Sequence, residues 1–188
     1  MHPDQARWDE RYRNTKNIGK PAGVLEHYQH LLPKQGAALD LACGLGGNAL
    51  LLAQHGLDAY AWDISPVGIQ TLAEQALHSS LFIQTEVRDI SSEPPEPESF
   101  DATVVSYFLE RDLFPALINS LRPNGMLFYQ TFTQKHYSDS GPGSPDYRLQ
   151  SNELLKHVKG LQVIAYHENY LPWLNAPVDE ACVVAKNK

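Results

Sequence analysis

The sequence predicts an α/β fold: a three-layer α/β/α sandwich on a Rossmann-like, seven-stranded, mostly parallel sheet with an antiparallel last strand. Two observations predict it. Short apolar segments alternate with amphipathic helical patterns along most of the chain, which is typical of parallel strands covered by helices on both faces. Only the last two strand-like segments lie too close in sequence to enclose a helix, so we expect them to form a hairpin with one antiparallel strand.

The elements follow one another as such a sheet requires. A helical pattern over 24–31 ends before Pro33, which cannot continue a helix. Ser65 and Pro66 supply the N-cap and first turn of a later helix. Strands are expected at 37–42, 58–63, 81–87, 102–106 and 126–132 and in the final segments LQVIAYHENYL and EACVVAK. The other helices are expected at 48–55, around 114–121 and over 151–158.

Length and charge limit the classes of function. With 188 residues and 21.0 kDa, the chain is expected to be a single domain over 1–188. Hydrophobic residues make up 43% and charged residues 20%, which excludes a disordered or fibrous chain. The formal net charge is −7 and no basic block occurs, so neither nucleic acid nor an anionic membrane is an expected partner.

Cysteine, histidine and the N-terminal residues add further limits. Cys43 and Cys182 cannot build a disulfide framework. The opening MHPDQARWDERYR has no apolar core, and no apolar run approaches the roughly 20 residues that span a bilayer, so we expect a cytoplasmic protein. His27 and His30 stand three apart without a third ligand, and no metal site is expected.

Polar residues end the predicted parallel strands. Asp40 and Asp63 end the first two strands, Asp89 follows the third, and Ser106 and Tyr107 end the fourth. Ligands of open α/β sheets bind beyond these carboxyl ends, where the strand order reverses. The glycines after the first strand let a ligand approach the backbone closely. A carboxylate at the end of the second strand can accept hydrogen bonds from both hydroxyls of a ribose. With a third acid for the amino group of an adenine, the set describes an adenosine-shaped site.

The same glycine turn also fits a different ligand. Gly44, Gly46 and Ala49 satisfy the pattern G-x-G-x-x-[G/A] of dinucleotide-binding proteins. Two features argue against a nicotinamide enzyme. The chain leaves little room for a separate catalytic domain, and Asp40, just ahead of the turn, suits a ligand with a cationic end better than a pyrophosphate.

Five segments in this order and spacing resemble the successive motifs of class I S-adenosylmethionine-dependent methyltransferases: LDLACGLGGNALLLA, AWDIS, EVRDI, FDATVVSYFL and LRPNGMLFYQTF. The resemblance covers residues 24–132, and the closing strand pair fits the same fold. The opening ARWDERYRN together with AWDIS looks most like the small-molecule group that contains tellurite-resistance and thiopurine methyltransferases.

The resemblance implies a set of cofactor contacts. Residues 1–23 would form a cover in which Trp8, Tyr12 and Ile18 fold over the cofactor. Ala42 departs from the family motif, which commonly has glycine there, and tightens the space. With the three cover residues included, the residues implied to contact the methionine end, the ribose or the adenine are Trp8, Tyr12, Ile18, Asp40, Ala42, Cys43, Gly44, Asp63, Ile64, Asp89, Ile90, Ser106 and Tyr107.

The resemblance also implies a reaction: transfer of a methyl group from S-adenosylmethionine to a small acceptor, with S-adenosylhomocysteine as product. A thiol or a chalcogen oxyanion needs little base catalysis, and no catalytic residue is assigned. A hydroxyl or an amine would need a proton acceptor, for which Tyr107, Glu110 and His136 are the candidates. The segment 133–150 leaves the fifth strand at the ligand edge and is the expected substrate lid.

Three other readings of the sequence stay open. The acceptor could be a protein, the enzyme could be a nicotinamide-dependent oxidoreductase, or the chain could be a non-catalytic module that binds S-adenosylmethionine. The sequence leaves the choice between monomer and homodimer undetermined.

Overall fold

The structure is a computed structural model that describes residues 3–15 and 19–188. The strands are β1 (Ala37–Leu41), β2 (Asp58–Asp63), β3 (Ile83–Val87), β4 (Phe100–Ser106), β5 (Leu121–Phe132), β6 (Gln162–Leu171) and β7 (Ala176–Lys186). The helices are α1 (Pro3–Arg13), α2 (Gly23–Tyr28), α3 (Gly47–Gln54), α4 (Pro66–His78), α5 (Phe114–Asn119) and α6 (Glu153–His157). Short 3₁₀ turns lie at Gln29–Leu31, Arg111–Leu113 and Pro145–Tyr147.

The strands form one sheet in the order β3-β2-β1-β4-β5-β7-β6. Strands β1 to β5 pair in parallel, and β7 lies antiparallel between β5 and β6. The predicted fold class is therefore confirmed, including the antiparallel last strand. Because the chain order reverses between β1 and β4, the crevice at their carboxyl ends is where an open α/β sheet binds ligands.

Two buried layers cover the sheet, one on each face. Phe114 of α5 and Leu154 of α6 pack on the face that Val183 of β7 presents. Val24 of α2 packs on the opposite face with Cys182. Adjacent residues of β7 thus enter opposite layers, as the two-residue period of a strand requires.

Some predicted boundaries differ from the structure. The predicted helix over 24–31 changes to a 3₁₀ turn after Tyr28, and the predicted strand at 126–132 begins earlier, at Leu121. Leu121 pairs with Phe100, and the register shifts before Met126 pairs with Ala102. Residues 122–125, which lie between the expected helix and the expected strand, instead form an irregularity within β5, because pairing with β4 holds both of their sides.

The segment 133–150, the expected lid, is closed at its base. The amide of Leu149 donates to the carbonyl of Phe132 at 2.8 Å, so the two ends lie side by side. The buried guanidinium of Arg148 donates to the carbonyls of Thr133 (2.9 Å) and Pro142 (2.8 Å) and lies 3.8 Å from Asp179. A buried charge is tolerated when it is paired and hydrogen-bonded in this way. Within the described ranges, no helix is long and apolar enough to cross a membrane.

The turn between β1 and α3 is built from left-handed residues. Gly44 has φ +57° and Gly46 has φ +82°. A Cβ at Gly46 would stand 2.2 Å from Cδ1 of Leu72, so this position needs glycine for space as well as for conformation. Ala42, at φ +55°, adopts the same region with a side chain. The glycine expected there would be free of the strain that alanine carries.

The first turn of α3 is held by a buried acid. Asp40 accepts hydrogen bonds from the amide of Ala49 at 3.0 Å and from the side-chain nitrogen of Asn48 at 3.1 Å, and it is fully buried. The contacts stabilise its charge, but burial dominates and raises the pKa of Asp40 to about 7. This carboxylate satisfies the backbone amide of Ala49 at the start of the helix, where amides lack partners within the helix.

We expect Ala42→Gly to raise the free energy of unfolding by up to about 1 kcal/mol. Relief of a left-handed alanine, roughly 1–2 kcal/mol, exceeds the added entropy of the unfolded glycine, about 0.4–1 kcal/mol. Urea unfolding monitored by circular dichroism measures the change. Ala38→Gly is the control, because Ala38 is buried in β1 and glycine is unfavourable in a strand. Equal destabilisation by both substitutions would contradict the assignment of strain to Ala42.

We expect Asp40 to make stability fall as pH rises. Its folded-state pKa of about 7 lies above the ordinary 3.8, so the folded state binds more protons between these values. The loss runs from about pH 4 to about pH 7, is complete above pH 7, and is of order 4 kcal/mol at most. Urea unfolding across this range compares the wild type with Asp40→Asn, which keeps every other titrating group. The same pH slope in both proteins would refute the prediction.

Candidate functional site

Asp63 joins the end of β2 to the glycine turn. Its carboxylate accepts hydrogen bonds from the amides of Gly44 at 2.8 Å and Ser65 at 2.9 Å, and the residue is 4% exposed. Burial raises the pKa of Asp63, the two amides oppose that shift, and the charge of Asp9 adds to it. A carboxylate offers about four acceptor positions, so two remain for the hydroxyls of a ligand.

Asn48 connects the ends of β1 and β4 with the N-terminal segment. Its side-chain nitrogen donates to Asp40 and to the hydroxyl of Ser106, at 3.1 and 2.9 Å, and its oxygen accepts from the amide of Ala22 at 2.8 Å. The sequence singled out Asp40 and Ser106 but gave Asn48 no role. The expected contact between Asp40 and a cationic ligand group stays a prediction.

Helix α1 lies over the glycine turn, and the cofactor cover expected over 1–23 stays a prediction. The rings of Trp8 and Tyr12 stack at 5.5 Å, and a Cβ at Gly44 would stand 3.1 Å from the hydroxyl of Tyr12. Asp9 anchors the helix by accepting a 2.5 Å hydrogen bond from the hydroxyl of Ser65, the N-cap of α4. Sequence reasoning missed Asp9, which lies among other charged residues with no distinguishing signal. Ile18 lies outside the described residues.

Tyr12 and Cys43, which lie beside the glycine turn, stay uncharged. Burial raises the pKa of the Tyr12 hydroxyl, and the charges of Asp63 and Asp40 add to the shift. Burial also raises the pKa of Cys43, again assisted by those two acids. A protonated, buried thiol is a small packing residue and a poor nucleophile, and the expected contact of Cys43 with a ligand stays a prediction.

The segment after β3 lies next to the end of β2. The amide of Arg88 donates to the carbonyl of Asp63 at 2.9 Å, which places Asp89 beside the site. Asp89 accepts from the amide of Ser91 at 3.1 Å and starts a turn there. Ile90 is buried in the core and Ile64 is partly buried. Contacts of these residues with an adenine stay predictions.

Tyr107 adopts a left-handed backbone, φ +55°, which is uncommon for a bulky residue and tends to occur at functional sites. Its hydroxyl lies 3.3 Å from Glu180 and accepts from the side-chain nitrogen of Gln130 at 3.2 Å. Burial and the charge of Glu180 raise the pKa of Tyr107, so the phenol stays neutral. The neutral phenol donates to Glu180, and a proton-acceptor role for Tyr107 stays a prediction.

Gln130 and Glu180 were not predicted to belong to the site. Gln130 also donates to Glu180 at 2.5 Å and accepts from the amide of Val24 at 2.7 Å. One signal was available: Gln130 is the polar residue in the middle of the apolar strand MLFYQTF. No local pattern marks Glu180, because its position depends on the pairing of β5 with β7.

Glu110 and His136, the other two proton-acceptor candidates, lie apart from the hydrogen bonds that join Tyr107, Gln130 and Glu180. Glu110 precedes the 3₁₀ turn at Arg111–Leu113, and its charge adds to the effect of burial in raising the pKa of Tyr129. Tyr129 belongs to the core layer of α5. Gln130, the next residue along β5, faces the opposite side of the sheet. His136 is exposed on the segment 133–150. A proton-acceptor role for Glu110 or His136 stays a prediction.

Comparison with known proteins identifies the family. The family model of the tellurite resistance protein TehB matches residues 4–173. "Hemagglutinin 1" of Eikenella corrodens is 30% identical over 138 residues, which is 69% of this chain and 45% of that protein. "Putative methyltransferase YqeM" of Bacillus subtilis (strain 168) is 29% identical over 125 residues, 60% of this chain and 49% of that protein. The chain thus spans about half the length of these curated relatives.

Solved structures share the fold. TehB from Haemophilus influenzae superposes with a TM-score of 0.71 at 22% identity, covering 98% of this chain and 67% of that chain. A geranyl diphosphate C-methyltransferase from Streptomyces coelicolor A3(2), solved with Mg²⁺, geranyl diphosphate and S-adenosyl-L-homocysteine, superposes with a TM-score of 0.73 at 11% identity, covering 100% and 99%. With the family match over 4–173, the expected resemblance is confirmed, and the chain belongs to the TehB family of class I S-adenosylmethionine-dependent methyltransferases.

Proposed function

We propose that the protein transfers a methyl group from S-adenosylmethionine to a small-molecule acceptor. The observation that carries the proposal is the buried carboxylate of Asp63, which holds the glycine turn at the carboxyl end of β2 and retains acceptor positions for a vicinal diol. Family membership and the motif order support the same cofactor.

The residues near the turn fit the parts of this cofactor. Asp63 would accept from the ribose hydroxyls, and Asp89 from the amino group of the adenine. The thioether and methionine parts would lie along Ala42, Cys43 and Gly44. Tyr12 and Trp8 of α1 would cover the ligand and exclude water. Acidic neighbours suit a cofactor that carries a positive sulfonium, since opposite charges attract most strongly where water is excluded.

The cofactor supplies an activated methyl group on its sulfonium. The task left to the protein is to hold the acceptor in line with that methyl group, which can contribute about 7–11 kcal/mol to lowering the barrier. The segment 133–150, held at its base by Arg148, is proposed to close over the acceptor. The cytoplasmic location expected from the sequence stays a prediction.

We expect Asp63→Asn to weaken binding of S-adenosylmethionine and S-adenosylhomocysteine at least about tenfold. The amide keeps one acceptor oxygen but loses the charge, and hydrogen bonds to charged groups contribute about 1.5–3 kcal/mol. Calorimetric titration measures both ligands and NADH. Asp101→Asn is the matched control, because Asp101 also accepts from a backbone amide, that of Ala37 at 2.9 Å, but lies at the start of β4, on the far edge of the sheet.

Three outcomes would contradict the proposal: unchanged affinity in Asp63→Asn, no binding of either methionine-derived ligand to the wild type, or a preference for NADH. Binding without release of S-adenosylhomocysteine across a panel of small acceptors would favour the non-catalytic module instead.

A further inference from the structure

A small cavity lies at the ligand edge of the sheet, beside Tyr107. Its volume is about 170 Å³, and it lies between the end of β5, the start of β7 and the segment 133–150. Phe132, Tyr137, Ser138 and Glu180 are among the residues that line it. Because β7 is antiparallel to β5, Glu180 faces Phe132 across the pair, and both lie where the parallel strands end.

Two consecutive residues at the end of β4 connect the proposed cofactor site with Glu180, which lines the cavity. Ser106 hydrogen-bonds Asn48 on the cofactor side at 2.9 Å. Tyr107 follows, with its hydroxyl 3.3 Å from Glu180 and its ring 5.1 Å from that of Phe132. A molecule in the cavity would therefore lie next to the cofactor along the end of β4.

The two carboxylates of the cavity differ in their partners. Asp179 lies 3.8 Å from the guanidinium of Arg148, which is itself buried and engaged with backbone carbonyls. Glu180 receives hydrogen bonds only from the neutral groups of Tyr107 and Gln130 among the residues of 3–15 and 19–188. Glu180 is thus the acid of this cavity without a cationic partner in the described part of the chain.

The surroundings of Glu180 favour its protonated form. Burial raises the pKa of Glu180 and the charge of Asp179 adds to the shift, while Gln130 and Tyr107 oppose it. Burial raises the pKa of the neighbouring Cys182 thiol to about 12, so that this thiol stays neutral. A carboxylate in such a place takes up a proton more readily than one in water.

We propose that this cavity is the acceptor site, that the acceptor is an amine, and that Glu180 removes its proton. The proposal rests on the proposed methyl transfer. An amine arrives as an ammonium ion, which the unpaired carboxylate attracts. An oxyanion such as tellurite would instead meet an unneutralised negative charge.

The proton and the electrons balance in two steps. The ammonium gives one N–H proton to the carboxylate of Glu180, leaving a neutral amine and a carboxylic acid. Exclusion of water favours this neutral pair over the ion pair. The nitrogen lone pair then forms the N–C bond to the methyl group while the C–S bond breaks and its electrons stay on sulfur. The products are a methylated ammonium ion and the neutral thioether S-adenosylhomocysteine.

The test uses the full chain with S-adenosylmethionine and three probes: benzylamine, benzyl mercaptan and sodium tellurite. Calorimetry first establishes that the cofactor binds, and release of S-adenosylhomocysteine then measures turnover of each probe. We expect benzylamine to be methylated in preference to the other two. Glu180→Gln should lower kcat about 10²-fold or more, leave the KM for S-adenosylmethionine unchanged, and remove the rise of kcat with pH that ionisation of the carboxylate causes.

Glu168→Gln is the matched control. Glu168 also accepts a hydrogen bond from a tyrosine, Tyr166. It pairs with Ala181, the neighbour of Glu180 on β7, so its side chain lies on the opposite face of the sheet. This variant should keep the wild-type rate and pH profile, and the melting temperature of both variants verifies folding.

Each other outcome decides against the proposal. Failure to bind S-adenosylmethionine would refute the proposed function and this inference with it. Binding followed by methylation of tellurite or benzyl mercaptan but not benzylamine would overturn the amine site alone. Binding with methylation of no probe would overturn the amine site and favour the non-catalytic module over the proposed transfer. A folded Glu180→Gln with wild-type kcat and pH profile would exclude Glu180 as the proton acceptor.

Discussion

The side-chain amide of Asn48 is the contact on which the ligand edge of the sheet depends. It bridges Asp40 at the end of β1 and Ser106 at the end of β4, the two strands between which the chain order reverses, and it accepts from the backbone of Ala22. Three partners from distant parts of the sequence thereby converge on one buried group. The crevice at the reversal point, the start of α3 and the path of the N-terminal segment are consequently positioned together.

Three buried or partly buried acids lie at the ligand edge of the sheet. Asp40, Asp63 and Glu180 all lie at the same edge, and burial raises the pKa of each. Such groups are unfavourable in an empty site, because each loses hydration that backbone and side-chain donors replace only in part. A cofactor with a sulfonium and an acceptor that arrives as an ammonium ion would both bring positive charge to this edge. The proposed reaction thus gives a single physical reason for three such acids at one edge of the sheet.

The sequence was sufficient to predict the features of the fold that depend on local patterns. Alternating apolar and helical segments were enough for the sheet class and its antiparallel strand, and Ser65 was correctly expected at the start of α4. The early start of β5 was missed, because Leu121 pairs with Phe100 from far along the chain. Gln130 and Glu180 were missed for a related reason: they meet only through the register of β5 on β7. Strand-end acids are visible in a sequence, whereas networks between strands that are far apart in the sequence are not.

A crystal structure of the protein with bound S-adenosylhomocysteine tests the central claim most directly. The account predicts both ribose hydroxyls within about 3 Å of the Asp63 carboxylate oxygens, the usual hydrogen-bond distance, with the sulfur directed toward Tyr107. Ordered ligand with its ribose away from Asp63, or the product bound at another edge of the sheet, would contradict it.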